Sequence, residues 1–419
     1  QTMSRWSHVE QAPPDPILGV SVAFNADSSD KKVNLGIGAY RDETGKPWVL
    51  GCVKAAEKKI AEDLNANTIN KEYLPVQGFQ PFLESTGKVI FGKDSPVMKD
   101  GKVAVVQTLS GTGALRVAAE FISIYSPGVT VHCSDPTWGN HHQIFKKAGL
   151  TTKTYKYLTQ TMGFDCDGML ADLSAAADGD VFVLHTVAHN PTGVDPNEEQ
   201  WKKIADVCEK KKAIIIFDTA YQGYASGDLD KDAFSVRYFT HERGFEVMVT
   251  QSYSKNFGLY GERIGALNVV CKDSETAVKV RSQLNGIIRP MYSNPQLHGA
   301  RLVSTVLADD GLYKQWDSEL KLMSNRIVAM RTALRVALAE IGCPTPNPIY
   351  PNWDHIVAQI GMFAYTGLQA KHVEILTNKW HIYCTKNGRF SMAGCNPNNV
   401  KYIAEAMKDA LSTAGPSDV

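Results

Sequence analysis

The chain has 419 residues, enough for two packed domains rather than one. Hydrophobic residues make up 43% and charged residues 21%, the balance of an ordinary soluble globular protein. Lys+Arg and Asp+Glu stand equal at 44 each, so no global field draws the chain to nucleic acid or an anionic membrane, and charge recognition must be local.

Residues 1–48 hold several prolines and few long patterns, and read as an arm followed by a small piece of structure. Gly87-x4-Gly92-Lys93 approaches a phosphate-binding loop. Asp94 stands where Ser or Thr should, however, and Val89, Ile90 and Phe91 fill a loop that must expose its backbone. Lys102 to Gln107 is an apolar, β-branched run. It leads into Thr108-Leu109-Ser110-Gly111-Thr112-Gly113 and then the helix-like Ala114 to Ile122. Asp180 to His185 leads in the same way through Ala188-His189-Asn190-Pro191-Thr192-Gly193 to a helix carrying Glu198 and Trp201. Ala213 to Phe217, the most apolar short stretch, ends in Asp218 and is far below the ~20 residues that span a membrane. Glu246 to Thr250 leads into Ser252-Tyr253-Ser254-Lys255. Continuous apolar strands separated by helices predict an α/β fold with a mostly parallel sheet covered on both faces. From about 312 to 341 the spacing of Trp316, Leu320, Met323, Ile327, Met330 and Leu334 predicts a long domain-linking helix. The Pro-rich loop Pro344 to Pro351 and a smaller αβ segment follow, and a small domain made from both chain ends is expected. The eight cysteines (52, 133, 166, 208, 271, 343, 384, 395) form no CxxC pair and suggest neither a zinc site nor a disulfide scaffold. No metal site is expected.

Polar residues at the carboxyl ends of parallel strands lie where ligands bind in open sheets. Ser110, Gly111 and Thr112 stand at such a transition. They read either as simple helix capping or as a phosphate cradle, since free N–H groups and the positive helix end attract an anion. Asp218 is either a turn former or a buried acid that needs a cationic partner, such as a protonated pyridine nitrogen. Lys255 is either a surface charge or an amine that loses its proton at a desolvated strand end, as Schiff-base chemistry requires. Arg263, eight residues on, is placed to reach the same anion as Ser110 to Thr112. A phosphate site, a pyridinium partner and an imine-forming amine together describe pyridoxal phosphate.

At these residues the sequence resembles the class I aminotransferases of fold type I, and among them the aspartate-using branch, from about Trp6 to about Met407. The likeness is carried by Pro13-Pro14-Asp15-Pro16-Ile17-Leu18, Asn34 to Arg41, Lys71-Glu72-Tyr73-Leu74-Pro75, Ser110 to Arg116 and Pro136-Thr137-Trp138-Gly139-Asn140-His141. Ala188 to Gly193, Phe217 to Gly223, Ser252 to Gly258 and Ile288 to Pro295 continue it in the same order. The resemblance implies a large domain, residues 49–324, with a mostly parallel seven-stranded sheet between helices. It implies a small domain from 15–48 and 325–419, and an arm, 1–14, contacting a second subunit of a homodimer. Lys255 would carry pyridoxal 5'-phosphate as a Schiff base and shuttle the substrate Cα proton. Asp218, backed by His141, would face the ring nitrogen, Asn190 and Tyr221 the ring oxygen, and Trp138 the ring face. Ser110, Gly111, Thr112, Ser252 and Arg263 would hold the phosphate, completed by Tyr73 from the other subunit. Gly38, Trp138, Asn190 and Arg389 would meet the substrate, Arg389 on its α-carboxylate, with Arg289 of the neighbouring subunit on the side-chain carboxylate. Bidentate pairing explains why arginine rather than lysine serves both places.

The implied reaction is ping-pong: L-aspartate and 2-oxoglutarate give oxaloacetate and L-glutamate. An aromatic or broad-specificity aminotransferase on the same scaffold is the nearest rival; a lyase of the same fold and a non-catalytic relative stand further off. Phe390 departs from the commoner aliphatic residue after the clamp arginine, and the Pro344–Pro351 loop looks longer than usual. The same resemblance implies cis peptides at Asp135-Pro136 and Asn190-Pro191. Trp6 to Glu10 and Arg289 to Pro295 look like mature mitochondrial rather than cytosolic forms, so a matrix enzyme is expected, with a cytoplasmic one as the alternative.

Overall fold

The protein is described from a computed structural model covering residues 4–13 and 18–417. Most of the Pro13–Leu18 motif and parts of the expected arm and small domain lie outside the described residues.

Seven strands form the main sheet. Their order across it is Val103–Leu109, Ile264–Val270, Val247–Ser252, Ile214–Thr219, Val181–His185, Thr130–Asp135 and Thr151–Lys156. All neighbouring pairs are parallel except those made by Ile264–Val270, which runs antiparallel to both of its neighbours. The expected mostly parallel seven-stranded sheet is therefore present, and the expected strand runs fall on four of its members. Alternation along these strands divides the core. Val181, Val183 and Ile216 pack with Ala114, Leu115 and Ala118 of the helix Ser110–Tyr125 and with Leu284 and Ile288. Phe182, Leu184, Ile215 and Phe217, one residue out of step, pack on the other face against Trp201, Ile204 and Phe239. Period-two side chains on a doubly covered sheet produce this split.

The helices start and stop for legible reasons. Asn197 and Gln200 cap the helix Glu198–Lys210 reciprocally, and Trp201, Ile204, Ala205 and Cys208 form its buried stripe. Asp309 accepts from the N–H groups of Gly311 and Leu312 at the head of the helix Asp310–Glu340, 31 residues long. Along it Trp316, Leu320, Met323, Ile327, Met330 and Leu334 are buried at three- to four-residue steps, as expected. Gly87 lies inside the helix Gln80–Phe91 with Val89, Ile90 and Phe91 buried, so the near-match to a phosphate loop has no free backbone to offer. Two short sheets accompany the main one. Val33–Asn34 pairs in parallel with Ile382–Tyr383, joining the two ends of the chain, and Arg389–Ser391 pairs antiparallel with Phe363–Tyr365. Among the described residues no helix is long and apolar enough to cross a membrane.

Candidate active site

The carboxyl ends of the parallel strands open into one cavity. Ser110, Gly111, Thr112, Trp138, Asn190, Asp218, Tyr221, Ser252, Lys255 and Arg263 all line it. These residues, up to 153 positions apart in sequence (Ser110 to Arg263), meet because parallel strands deliver their ends to one edge.

At one end is an anion seat. The helix Ser110–Tyr125 follows the strand Val103–Leu109 with no intervening loop, and its head has no side-chain cap. Simple capping by Ser110 is thus not what the structure holds. The Ser110 hydroxyl instead lies 2.9 Å from Ser252 Oγ and 3.0 Å from Ser254 Oγ. Arg263 Nη1 donates to Ser254 Oγ at 3.3 Å. Ser110 and Arg263 both have left-handed backbones, at φ 60° and 51°. Burial holds the Arg263 guanidinium below its ordinary value, and among the described residues it has no carboxylate partner. Hydroxyls, a helix N-terminus and an unpaired cation make a seat for a phosphate.

At the other end stands Asp218. His141, fully buried, lies with Nε2 at 3.0 Å from Asp218 Oδ2 and Nδ1 at 2.8 Å from Thr137 Oγ1. Burial alone would raise the Asp218 carboxyl, but the His141 hydrogen bond and the charges of His141, His185 and Lys255 outweigh it and hold the acid below its usual range. An ionised acid at the cavity floor will keep a facing ring nitrogen protonated. Trp138 sets its indole edge-on to His141, with centroids 5.3 Å apart.

Between the two ends sits Lys255. Its Nζ is 5.5 Å from the Tyr221 ring centre. Burial lowers its pKa from 10.5 to about 8; Asp218 opposes that shift, and Arg263 and Arg389 assist it. Tyr221 moves the other way, its phenol pushed up by burial.

Arg389 lies beside the cavity. It is 4% exposed, donates from Nη1 to Asn190 Oδ1 at 3.2 Å and from Nη2 to Gly36 O at 3.0 Å, and stacks 4.0 Å over the Phe363 ring. Its Nε has no partner, and among the described residues no carboxylate pairs with it. A buried guanidinium left in this state is a seat for a carboxylate from outside the chain. Gly38 lies near the same ring: a Cβ there would stand 3.4 Å from Phe363 Cζ.

Two expected site residues do not join this cavity within one chain. Tyr73 is 85% exposed, and Arg289 is exposed with its Nη1 bonded to Ser293 Oγ. Sequence reasoning passed over Ser254, which bridges Ser110 and Arg263, and His185, which lines the floor and accepts from Asn190 N–H at 3.2 Å. Both stand at strand ends, the signal that had picked out their neighbours. Asp135-Pro136 and Asn190-Pro191 are both cis.

A family profile for aminotransferases of class I and II matches residues 30–407. The chain belongs to the class I and II aminotransferases. Among its relatives in that family, the mitochondrial aspartate aminotransferase of Arabidopsis thaliana is 49% identical over 98% of this chain and 93% of its own length. The cytoplasmic aspartate aminotransferase of Giardia lamblia superposes with a TM-score of 0.95 at 42% identity, covering 99% of this chain and 100% of that one. The aromatic-amino-acid aminotransferase of Burkholderia pseudomallei, solved covalently bound to pyridoxal phosphate, reaches 0.92 at 40% identity, over 98% and 100% of the two chains. The aminotransferase fold thus extends over essentially the whole chain.

Proposed function

We propose that this aminotransferase exchanges amino groups between L-aspartate and 2-oxoglutarate, yielding oxaloacetate and L-glutamate, with pyridoxal 5'-phosphate as cofactor. One observation carries the reading: an amine of lowered pKa, an ionised acid and an anion seat line a single cavity, with a buried, unpaired guanidinium beside it. The donor set fits the cofactor at both ends, phosphate against Ser110, Gly111, Thr112, Ser252 and Arg263, ring nitrogen against Asp218. When bound, the cofactor supplies an electron sink for the pair left as the substrate Cα–H bond breaks.

The chain does the rest. Lys255, with an amine neutral in a useful fraction near pH 8, takes the Cα proton and returns it at the cofactor's C4′. Asp218 holds the ring-nitrogen proton in place, and His141 orients Asp218. Asn190 and Tyr221 bind the ring oxygen, and Trp138 covers the ring face and excludes water from it. Arg389 grips the α-carboxylate through the donors it leaves open, and Gly38 leaves room for the substrate. Curated relatives named aspartate aminotransferase, at 48–49% identity over nearly the whole chain, favour the dicarboxylate reading.

The active unit is a homodimer in which the partner's Arg289 binds the side-chain carboxylate and the partner's Tyr73 the phosphate; the exposure of both positions supports this. Residues 49–324 form the cofactor-holding body and 15–48 with 325–419 the smaller one, a division supported by the pairing of Val33–Asn34 with Ile382–Tyr383. The compartment is the mitochondrial matrix, a reading supported by the mitochondrial relative of Arabidopsis; the cytoplasm, named for the Giardia relative, is the alternative.

The test is a spectrum of the purified protein. A yellow chromophore should bleach with L-aspartate and return with 2-oxoglutarate, oxaloacetate appearing in step. Phenylalanine turned over with kcat/KM equal to that for aspartate would transfer the protein to the aromatic branch. Lack of any amino-acid-sensitive absorbance would end the reading.

A further inference from the structure

The linking helix Asp310–Glu340 buries a second guanidinium. Arg331 is 1% exposed and has no carboxylate partner among the described residues. Burying an unpaired charge is strongly unfavourable, so this arginine is an expensive way to fill a core. Its two terminal nitrogens go to one stretch of backbone, Nη1 to Ile356 O at 2.9 Å and Nη2 to Gly361 O at 2.7 Å and also to Phe363 O, while Nε has no partner. The segment gathered in this way is the one on which the carboxylate seat rests.

Phe363 is the ring beneath Arg389, and it also meets Tyr221 edge-on with centroids 6.2 Å apart. Its strand pairs with that of Arg389. The same segment interlocks with the loop that carries Asn190, the side-chain acceptor of Arg389. Ile360 N–H donates to Gly193 O at 2.7 Å. A Cβ on Gly193 would lie 2.8 Å from Ile360 O and 2.9 Å from Phe363 O, and one on Gly361 would lie 2.4 Å from Ala188 Cβ. Neither side of this seam has room to shift unless the other moves with it.

We infer that Arg331 is a positioning residue for substrate carboxylate binding: by tying Ile356, Gly361 and Phe363 together it fixes the seam that orients both Arg389 and Asn190. The inference rests on the assignment of Arg389 as the α-carboxylate clamp. That contact exists in the ground state and the transition state alike, so loosening it raises KM and leaves kcat nearly unchanged.

The experiment compares Arg331→Met, Arg331→Lys and Gly361→Ala with wild type and with Arg389→Leu, all as holoenzyme. KM is read for L-aspartate and 2-oxoglutarate, and the dissociation constant for succinate, an unreactive dicarboxylate, by calorimetry. A misplacement of an ångström at a positioned group costs up to about a hundredfold. Arg331→Met should therefore raise both KM values and the succinate constant by roughly ten- to a hundredfold with kcat within about threefold of wild type. Arg331→Lys, which keeps the charge but not the fork, should restore part of the loss. Gly361→Ala, pressing on the seam from the other side, should reproduce the KM effect with the buried charge intact. It decides alone if the Arg331 variants do not fold. KM and succinate binding within twofold of wild type in Arg331→Met and Gly361→Ala, even with a lowered melting temperature, overturn the inference. If Arg389→Leu also leaves them unchanged, the fault lies with the clamp assignment itself.

Discussion

The cavity makes Lys255 a different amine from the other lysines of the chain, and the difference is measurable by pH alone. An ordinary side-chain amine at 10.5 is about one part in 3,000 neutral at pH 7, whereas one at about 8 is roughly one-tenth neutral, a gain of about 300-fold in nucleophile. Cofactor-free protein treated briefly with a limiting amine-directed acylating reagent, then digested and weighed by peptide, gives the reaction rate at Lys255. That rate should rise with pH and flatten above about 8, well short of the ordinary amine value of 10.5. The sign for Asp218→Asn is fixed by the same charges: Asp218 raises the Lys255 pKa, so removing its charge should move the inflection below 8. A Lys255 profile still climbing at pH 10, or an inflection that rises in Asp218→Asn, would refute the account of burial dominating this amine.

Arg389→Leu removes a buried, hydrogen-bonded charge from its substrate partner, a loss of about 2–5 kcal/mol, and kcat/KM for aspartate should fall by roughly 1.5 to 3.7 decades; a fall of less than threefold in steady-state assays would contradict the clamp. Gly265→Ala sets a Cβ 2.4 Å from Gln251 O and 2.6 Å from Ser110 C. Backbone on both sides cannot yield cheaply, so about 1–3 kcal/mol of stability should go, with weaker cofactor retention on dialysis. Asp27 is held at about 2 by hydrogen bonds from Tyr383, Ser29 N–H and His381. A depressed carboxyl stabilises above its ordinary 3.8 and loses that contribution as pH falls toward 2. Asp27→Asn should therefore be less stable at pH 7 yet flatter between about pH 4 and 2 by circular dichroism; superimposable acid limbs would count against it.

The parts of the fold legible in the sequence were those with their own punctuation. Lys102 to Gln107, Asp180 to His185, Ala213 to Phe217 and Glu246 to Thr250 are apolar runs that end in polar residues, and each lies on a strand of the main sheet. The antiparallel strand Ile264–Val270 was not foreseen. It follows the Lys255 loop without an intervening helix, and no local pattern declares strand direction. Thr151–Lys156 sits at the edge of the sheet and alternates threonine with lysine and tyrosine, so it lacks the apolar run that marks an interior strand. In the site, Asp218 and Lys255 could be picked out because charged residues at strand ends are unusual. Ser254 and Arg331 could not be separated from ordinary residues, because a serine's bonding partner and an arginine's burial are properties of the folded chain. Tyr73 and Arg289 stay on the surface of a single chain, and no pattern within one sequence tells which cleft an exposed side chain will serve.

The helix Asp310–Glu340 touches both halves of the chemistry. Near its start Trp316 donates from Nε1 to Asn256 O at 2.8 Å and stacks on Phe257, the residues next to Lys255. Fifteen positions later Arg331 grips Phe363 under Arg389. At 1.5 Å per residue these two grips are about 22 Å apart on one stiff rod. The rod acts as a calliper whose jaws are set by residue count. One amino acid inserted or deleted between them would turn one jaw by about 100° against the other. The spacing of these 15 steps is thus as much a part of the enzyme as any side chain in the cleft.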